Sequence, residues 1–183
     1  TDFPPAAAQE ADKIATTIQS DELSGRRDLR ELSVVTIDGE DAKDLDDAVH
    51  VEQIGPGLFR LGVHIADVSH YVRENRPLDQ EARQRGTSVY LVDRVIPMLP
   101  HRLSNGICSL NQGEDRLTLS ATMDIDSSGK VIKYELFTSV IRVRSRLSYN
   151  IVRRILADKD AALREQYAPL VPMLETMETL AAA

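Results

Sequence analysis

The sequence predicts an α+β domain: a mixed, largely antiparallel sheet with flanking helices. Three observations predict it. Two pairs of β-type apolar runs are each joined by a Gly-containing turn. The apolar period becomes helical beyond Tyr149. Of the 183 residues 42% are hydrophobic, enough for one sizeable core.

In chain order, Pro4-Pro5 opens a lead-in over residues 1–24, where Ala11, Ile14, Ala15 and Ile18 recur at helical spacing. Gly25-Arg26-Arg27-Asp28 breaks that pattern, and Val34-Val35-Thr36-Ile37 is a short β-type run. After an acidic loop, Val49 and Val51 alternate with polar residues, Gly55-Pro56-Gly57 marks a turn, and Phe59, Leu61, Val63 and Ile65 alternate again. That pair reads as a hairpin with one buried face. Pro77 can start a helix that Gly86 ends. Leu117, Leu119, Ala121, Met123 and Ile125 form a strand that turns at Ser127-Ser128-Gly129-Lys130 and returns over Val131 to Val143. Ile151, Val152, Ile155 and Leu156 begin the helical part, and Leu170, Met173, Leu174, Met177 and Leu180 form a further stripe.

The net charge of −7 argues against a broadly basic nucleic-acid binder, although acids gathered in a metal site would mask bases placed elsewhere. The single cysteine, Cys108, can form no internal disulfide and matches no zinc spacing, so it reads as a small buried residue. No run approaches the roughly 18 apolar residues that span a bilayer, and no signal peptide is visible. A soluble, cytoplasmic monomer is expected.

The most informative stretch runs from Asp38 to Asp47, where six of ten residues are acidic and only Lys43 is basic. Carboxylates crowded on a short loop between two strands repel one another unless a cation sits among them. Oxygen ligands of this kind suit Mg²⁺, Mn²⁺ or Ca²⁺. A solvated acidic turn is the plain alternative. An EF-hand fails on register, with Gly39 second and Val49 at the twelfth position.

Thr36-Ile37-Asp38-Gly39-Glu40-Asp41-Ala42-Lys43-Asp44-Leu45-Asp46-Asp47-Ala48-Val49 resembles the signature loop of the RNB family of exoribonucleases. The likeness continues in Gly62-Val63-His64-Ile65-Ala66-Asp67-Val68-Ser69-His70-Tyr71-Val72, in Arg85 to Leu91, in Arg94 to Pro100 and in Leu103 to Asn111. It implies an RNB-type catalytic domain over residues 25–183, of which only the N-terminal part is expected here. The later Arg-rich motif, Glu and Phe of the family are absent, as are its cold-shock and S1 domains. It also implies Mg²⁺-dependent 3′→5′ hydrolysis of single-stranded RNA to nucleoside 5′-monophosphates, with Mn²⁺ as a possible substitute. Asp38, Asp44, Asp46 and Asp47 would hold the metal, with Asp46 most directly tied to catalysis. A catalytically silent RNB-like RNA-binding module is the alternative, and the presence of all four aspartates favours the enzyme.

The resemblance further implies that Tyr90 stacks on a base near the RNA 3′ end and that Tyr149 lies near the RNA. On residues alone, Tyr90 reads as a strand core residue and Tyr149 as a packing residue at a strand-to-helix junction. Leu136 to Ala157 holds Arg142, Arg144, Arg146, Arg153 and Arg154 with no acid. The first three would share a face if the strand persisted, either as a phosphate track or as a solvated basic face. His64 and Asp67 are read as scaffold, not as a general-base pair.

Overall fold

The computed structural model describes residues 2–92 and 94–183. Helix α1 (Pro5–Lys13) begins at a proline and ends at Ile14, whose backbone is extended. The helical stripe expected through Ala15 and Ile18 is therefore cut short. Arg102 explains the stop: its guanidinium takes the carbonyl oxygens of Ala11 at 3.1 Å and Ile14 at 2.8 Å, oxygens that a longer helix would need. Ile14 and Ile18 still reach the apolar cluster of Ala7, Ala11, Leu78, Leu103 and Ile107 from irregular chain.

Strands β1 (Arg27–Asp28), β2 (Val35–Asp38), β3 (Asp47–Gly55) and β4 (Leu58–Ala66) follow. Short α2 (Val68–Tyr71) and α3 (Pro77–Arg85) come next, with Gly86 at φ 73 ending α3 as its sequence predicts. A small hairpin, β5 (Val89–Tyr90) and β6 (Val95–Ile96), precedes a π-helical turn at Leu103–Ile107. The long pair β7 (Asp115–Asp126) and β8 (Val131–Arg142) leads to β9 (Ser145–Ser148). The chain then forms α4 (Tyr149–Leu156), α5 (Ala161–Gln166) and α6 (Val171–Ala181). Helix α5 is too short for its period to show in sequence; the Asp160 carboxylate caps it by accepting from the backbone of Ala162 and Leu163.

The main sheet has the order β1-β8-β7-β4-β3-β2-β9. Its outer pairs β1–β8 and β2–β9 are parallel and the inner four are antiparallel, so the α+β class with a mixed sheet holds. One face carries α4 to α6, which bury Val35, Leu147, Ile155, Leu170 and Leu174 over the β9, β2 and β3 end. On the same face, beyond β3, the register aligns Ile65 with Leu119 and Ala121 with Leu136, outside the apolar cluster that α4 to α6 form. Ile65, Leu119, Ile132, Tyr134 and Leu136 are all exposed there.

The opposite face holds a core of Val34, Leu45, Ala48, Ala66, Leu110 and Ile141. Beside it a buried polar chain crosses four strands. His50 Nδ1 lies 3.0 Å from His64 Nε2, His64 Nδ1 lies 2.7 Å from Ser120 Oγ, and Ser120 and Thr118 each lie 2.6 Å from the Ser139 hydroxyl. Burial, followed by the neighbouring His50, holds the His64 imidazole down at about 4 instead of 6.5. Below the ordinary value the unfolded chain takes up a proton that the folded chain refuses. Stability should therefore decline as pH falls from about 6.5 to about 4, by up to roughly 3 kcal/mol. Urea titrations across that range should show the decline in the native chain and a flatter profile in His64→Gln. Equal slopes in the two would mean that His64 titrates normally.

Candidate metal-binding and catalytic site

Asp38 closes β2 and Asp47 opens β3, so the acidic loop is a connection between adjacent antiparallel strands. Its carboxylates repel, yet its backbone is held from several sides. Arg146 Nη2 donates to the carbonyl oxygens of Glu40 at 2.9 Å and Ala42 at 2.6 Å. Asn150 Nδ2 donates to Glu40 Oε1 at 2.9 Å. The Ser109 hydroxyl accepts from Leu45 N and donates to Lys43 O, each at 3.0 Å. Leu110 N donates to Leu45 O at 2.8 Å, and Ala66 N to Asp46 O at 2.9 Å. The Leu45 side chain is buried in the core.

The four aspartates share one electrostatic environment. Burial raises the Asp38 carboxyl above its usual range, the charges of Asp47 and Asp44 add to this, and Arg146 partly offsets it. Burial also raises Asp46, helped by Asp44, Asp47 and Asp38. Asp38 Oδ2 is buried without a hydrogen-bond partner. A buried, partnerless carboxylate oxygen among other acids is what a divalent cation would satisfy, so the donor set fits a hard metal ion. As they stand, no three His, Cys, Asp or Glu side chains converge into a ready ion-binding group among the described residues.

Tyr90 does not pack in a core. It is 63% exposed, and its hydroxyl donates to Asp44 Oδ2 at 2.5 Å, which sets its ring beside the carboxylates. Tyr149 is exposed as the first residue of α4, next to Ser148, which pairs with Asp38 across β9 and β2. The three arginines do not form one track, because the strand breaks between β8 and β9. Arg142 is paired with Asp115 at 2.7 Å, and Arg146 is committed to the loop backbone. Arg144 makes no ion pair among the described residues and lines a cavity of about 350 Å³ with Ser33, Ser145 and Tyr167. Arg153 and Arg154 pair with Asp158 and Asp160.

His64 and Asp67 are apart in role, as expected: His64 belongs to the buried polar chain, and Asp67 pairs with Arg26 at 2.6 Å. Cys108 is buried, and burial pushes its thiol up to about 12, leaving it inert. Sequence reasoning missed the residues that hold the loop. Ser109 lies in the Leu103 to Asn111 motif and Asn150 in the acid-free stretch Leu136 to Ala157, but only the fold brings them to the loop. The sequence admits Arg146 to a phosphate track or a solvated basic face; its partners here are carbonyl oxygens, which leave no mark in sequence.

Comparison with known proteins places this geometry. A family model described as the RNB domain matches residues 26–183. The chain is 51% identical over 180 residues to ribonuclease R of Thermotoga maritima, covering 98% of this chain and 25% of that protein. It is 49% identical over 178 residues to ribonuclease R of Escherichia coli, covering 97% of this chain and 22% of that protein. In the solved structure of Mycoplasma genitalium RNase R with ribose-methylated single-stranded RNA, the likeness reaches a TM-score of 0.87 at 33% identity, over 99% of this chain and 28% of the other. The chain thus spans about a quarter of the length of the curated relatives it matches.

Proposed function

The chain belongs to the RNB family, and from that premise we propose that it supplies the metal-binding part of a 3′→5′ exoribonuclease acting on single-stranded RNA. The observation that carries the reading is the partnerless Asp38 oxygen among carboxylates whose backbone is clamped against their own repulsion.

In this reading Asp38, Asp44, Asp46 and Asp47 hold Mg²⁺, with Mn²⁺ as a substitute. The bound ion would supply Lewis-acid charge at the scissile phosphate and polarise the attacking water. The chain's own residues place that chemistry. Asp46 and Asp47 keep solvent-accessible surface, whereas Asp38 is half-buried with one oxygen fully enclosed. The exposed Tyr90 ring offers a stacking platform for a base near the 3′ end, which contributes about 1–3 kcal/mol without sequence preference. Tyr149 flanks the same site. Of Arg142, Arg144 and Arg146, Arg144 is the one open to a phosphate, since the other two would first have to leave their present partners. No helix among the described residues is long and apolar enough to cross a membrane. The reading places the protein with its RNA in the cytoplasm, acting as a monomer.

A chimera tests the reading. This chain would replace the matching quarter of the Thermotoga maritima ribonuclease R. With Mg²⁺, a single-stranded RNA labelled at its 5′ end should shorten progressively, releasing nucleoside 5′-monophosphates, and EDTA should stop it. RNA binding without shortening, where the parent relative degrades the same substrate, would make the chain a silent RNA-binding module instead.

A further inference from the structure

We propose that Ser109 is the positioning residue that fixes the backbone between Asp44 and Asp46, two of the carboxylates that would hold a divalent ion. The inference rests on the metal reading above. Two like charges about 6 Å apart repel by roughly 3 kcal/mol at the effective dielectric of a protein surface. A loop carrying four of them opens unless something inside holds it.

Leu45 is the pivot between Asp44 and Asp46, and three attachments fix it. Its N–H donates to Ser109 Oγ at 3.0 Å, its carbonyl accepts from Leu110 N at 2.8 Å, and its side chain is buried in the core. The Ser109 hydroxyl also donates to Lys43 O at 3.0 Å, so one oxygen ties the backbone on both sides of Asp44. A serine hydroxyl can donate once and accept at the same time; its proton has Lys43 O at 3.0 Å as the nearer acceptor and Asn111 Oδ1 at 3.3 Å as the farther one. Ser109 is 0% exposed, so water has no route to replace it.

Ser109 is itself anchored. The Arg116 guanidinium is 4% exposed, and it donates from Nε to Ser109 O at 2.7 Å and from Nη2 to Gly106 O at 3.2 Å. Glu114 neutralises it from the rim. The order of dependence runs from a buried arginine, through the Ser109 backbone and hydroxyl, to the pivot that aims two carboxylates. Outer groups that orient metal ligands typically change affinity by about 10- to 100-fold when lost.

The test uses the chain itself. Ser109→Thr and Ser109→Val add nearly the same volume and differ in the hydroxyl, so packing damage is shared and cancels in the comparison. Ser120→Ala removes an equally buried hydroxyl that is bonded to His64 and Ser139, away from the loop. The probe is Mn²⁺, titrated by calorimetry and by its paramagnetic resonance signal. S109T and S120A should keep the native dissociation constant within about threefold, while S109V should weaken it by about tenfold or more. Hydrogen exchange of the loop amides, residues 39–47, should accelerate in S109V and not in S120A. Equal Mn²⁺ affinity in S109T and S109V would overturn the inference, as would equal weakening in S120A. A native chain that binds no Mn²⁺ would sink the metal reading. In that event the placement of the loop by Ser109 stands if exchange accelerates in S109V alone and falls if it does not.

Discussion

Asp46→Asn in the chimera is expected to lower the rate of RNA hydrolysis by about a hundred- to a thousandfold while leaving RNA affinity nearly unchanged. The substitution is almost isosteric. It keeps the backbone carbonyl that accepts from Ala66 N at 2.9 Å, so the loop stays anchored. What it removes is one negative charge from a site where burial and three neighbouring aspartates already work against ionisation. The folded chain should therefore be no less stable, and may be compared by thermal denaturation under metal-free conditions. In the proposed reading RNA is held by stacking and phosphate contacts, and Asp46 is assigned to neither. Single-turnover rates and RNA dissociation constants measured on the same samples separate the two effects. Glu40→Gln is the control: Glu40 belongs to the same acidic run but is tied to Asn150, and its loss should matter little. A fully active Asp46→Asn enzyme would remove the aspartates from the mechanism.

Gly62→Ala is expected to be the most damaging single methyl group in the fold. Gly62 faces His50 across β3 and β4. A Cβ there would lie 2.1 Å from His50 Cε1 and 2.4 Å from its Nδ1. The His50 ring has little freedom to retreat, since it stacks on His64 with ring centroids 5.2 Å apart and shares a 3.0 Å hydrogen bond with it. Displacing it would break the polar chain and leave His64 short of a partner. Overpacking and the orphaned polar group together should cost roughly 3 kcal/mol or more. For a chain of this size that lowers the melting temperature by about 6–12 °C. A melting curve of the variant within about 2 °C of the native one would show that the ring moves freely.

Much of this architecture could be read along the sequence. The two hairpins declared themselves because the strands through Val51, Phe59 and Leu117 alternate on their own and each turn carries glycine. The acidic loop stood out because crowded like charges between two β-runs have no cheap structural use. The supports of that loop could not be read. Ser109 acts on Leu45 from 64 residues away, and Arg146 on Ala42 from 104. Both act through backbone oxygens or amides, which every residue possesses. The partners of the arginine run were hidden for a related reason. Arg142 sits opposite Asp115 only once the β7–β8 register is known, and that register takes it out of the apparent basic stripe. The stripe of α1 failed because Arg102, distant in sequence, claims the carbonyl oxygens of its last turn.

The bare half of the sheet, from Ile65 to Leu136, has a consequence for how the isolated chain behaves in the test tube. Each of its large aliphatic or aromatic groups forgoes about 1.5–3 kcal/mol of transfer free energy while it stays wet. An apolar area of that extent invites contact with other molecules. Dye fluorescence and sedimentation of the native chain will register this greasy plane. A bright hydrophobic-dye signal is therefore expected of the native fold itself and does not by itself mark a molten state.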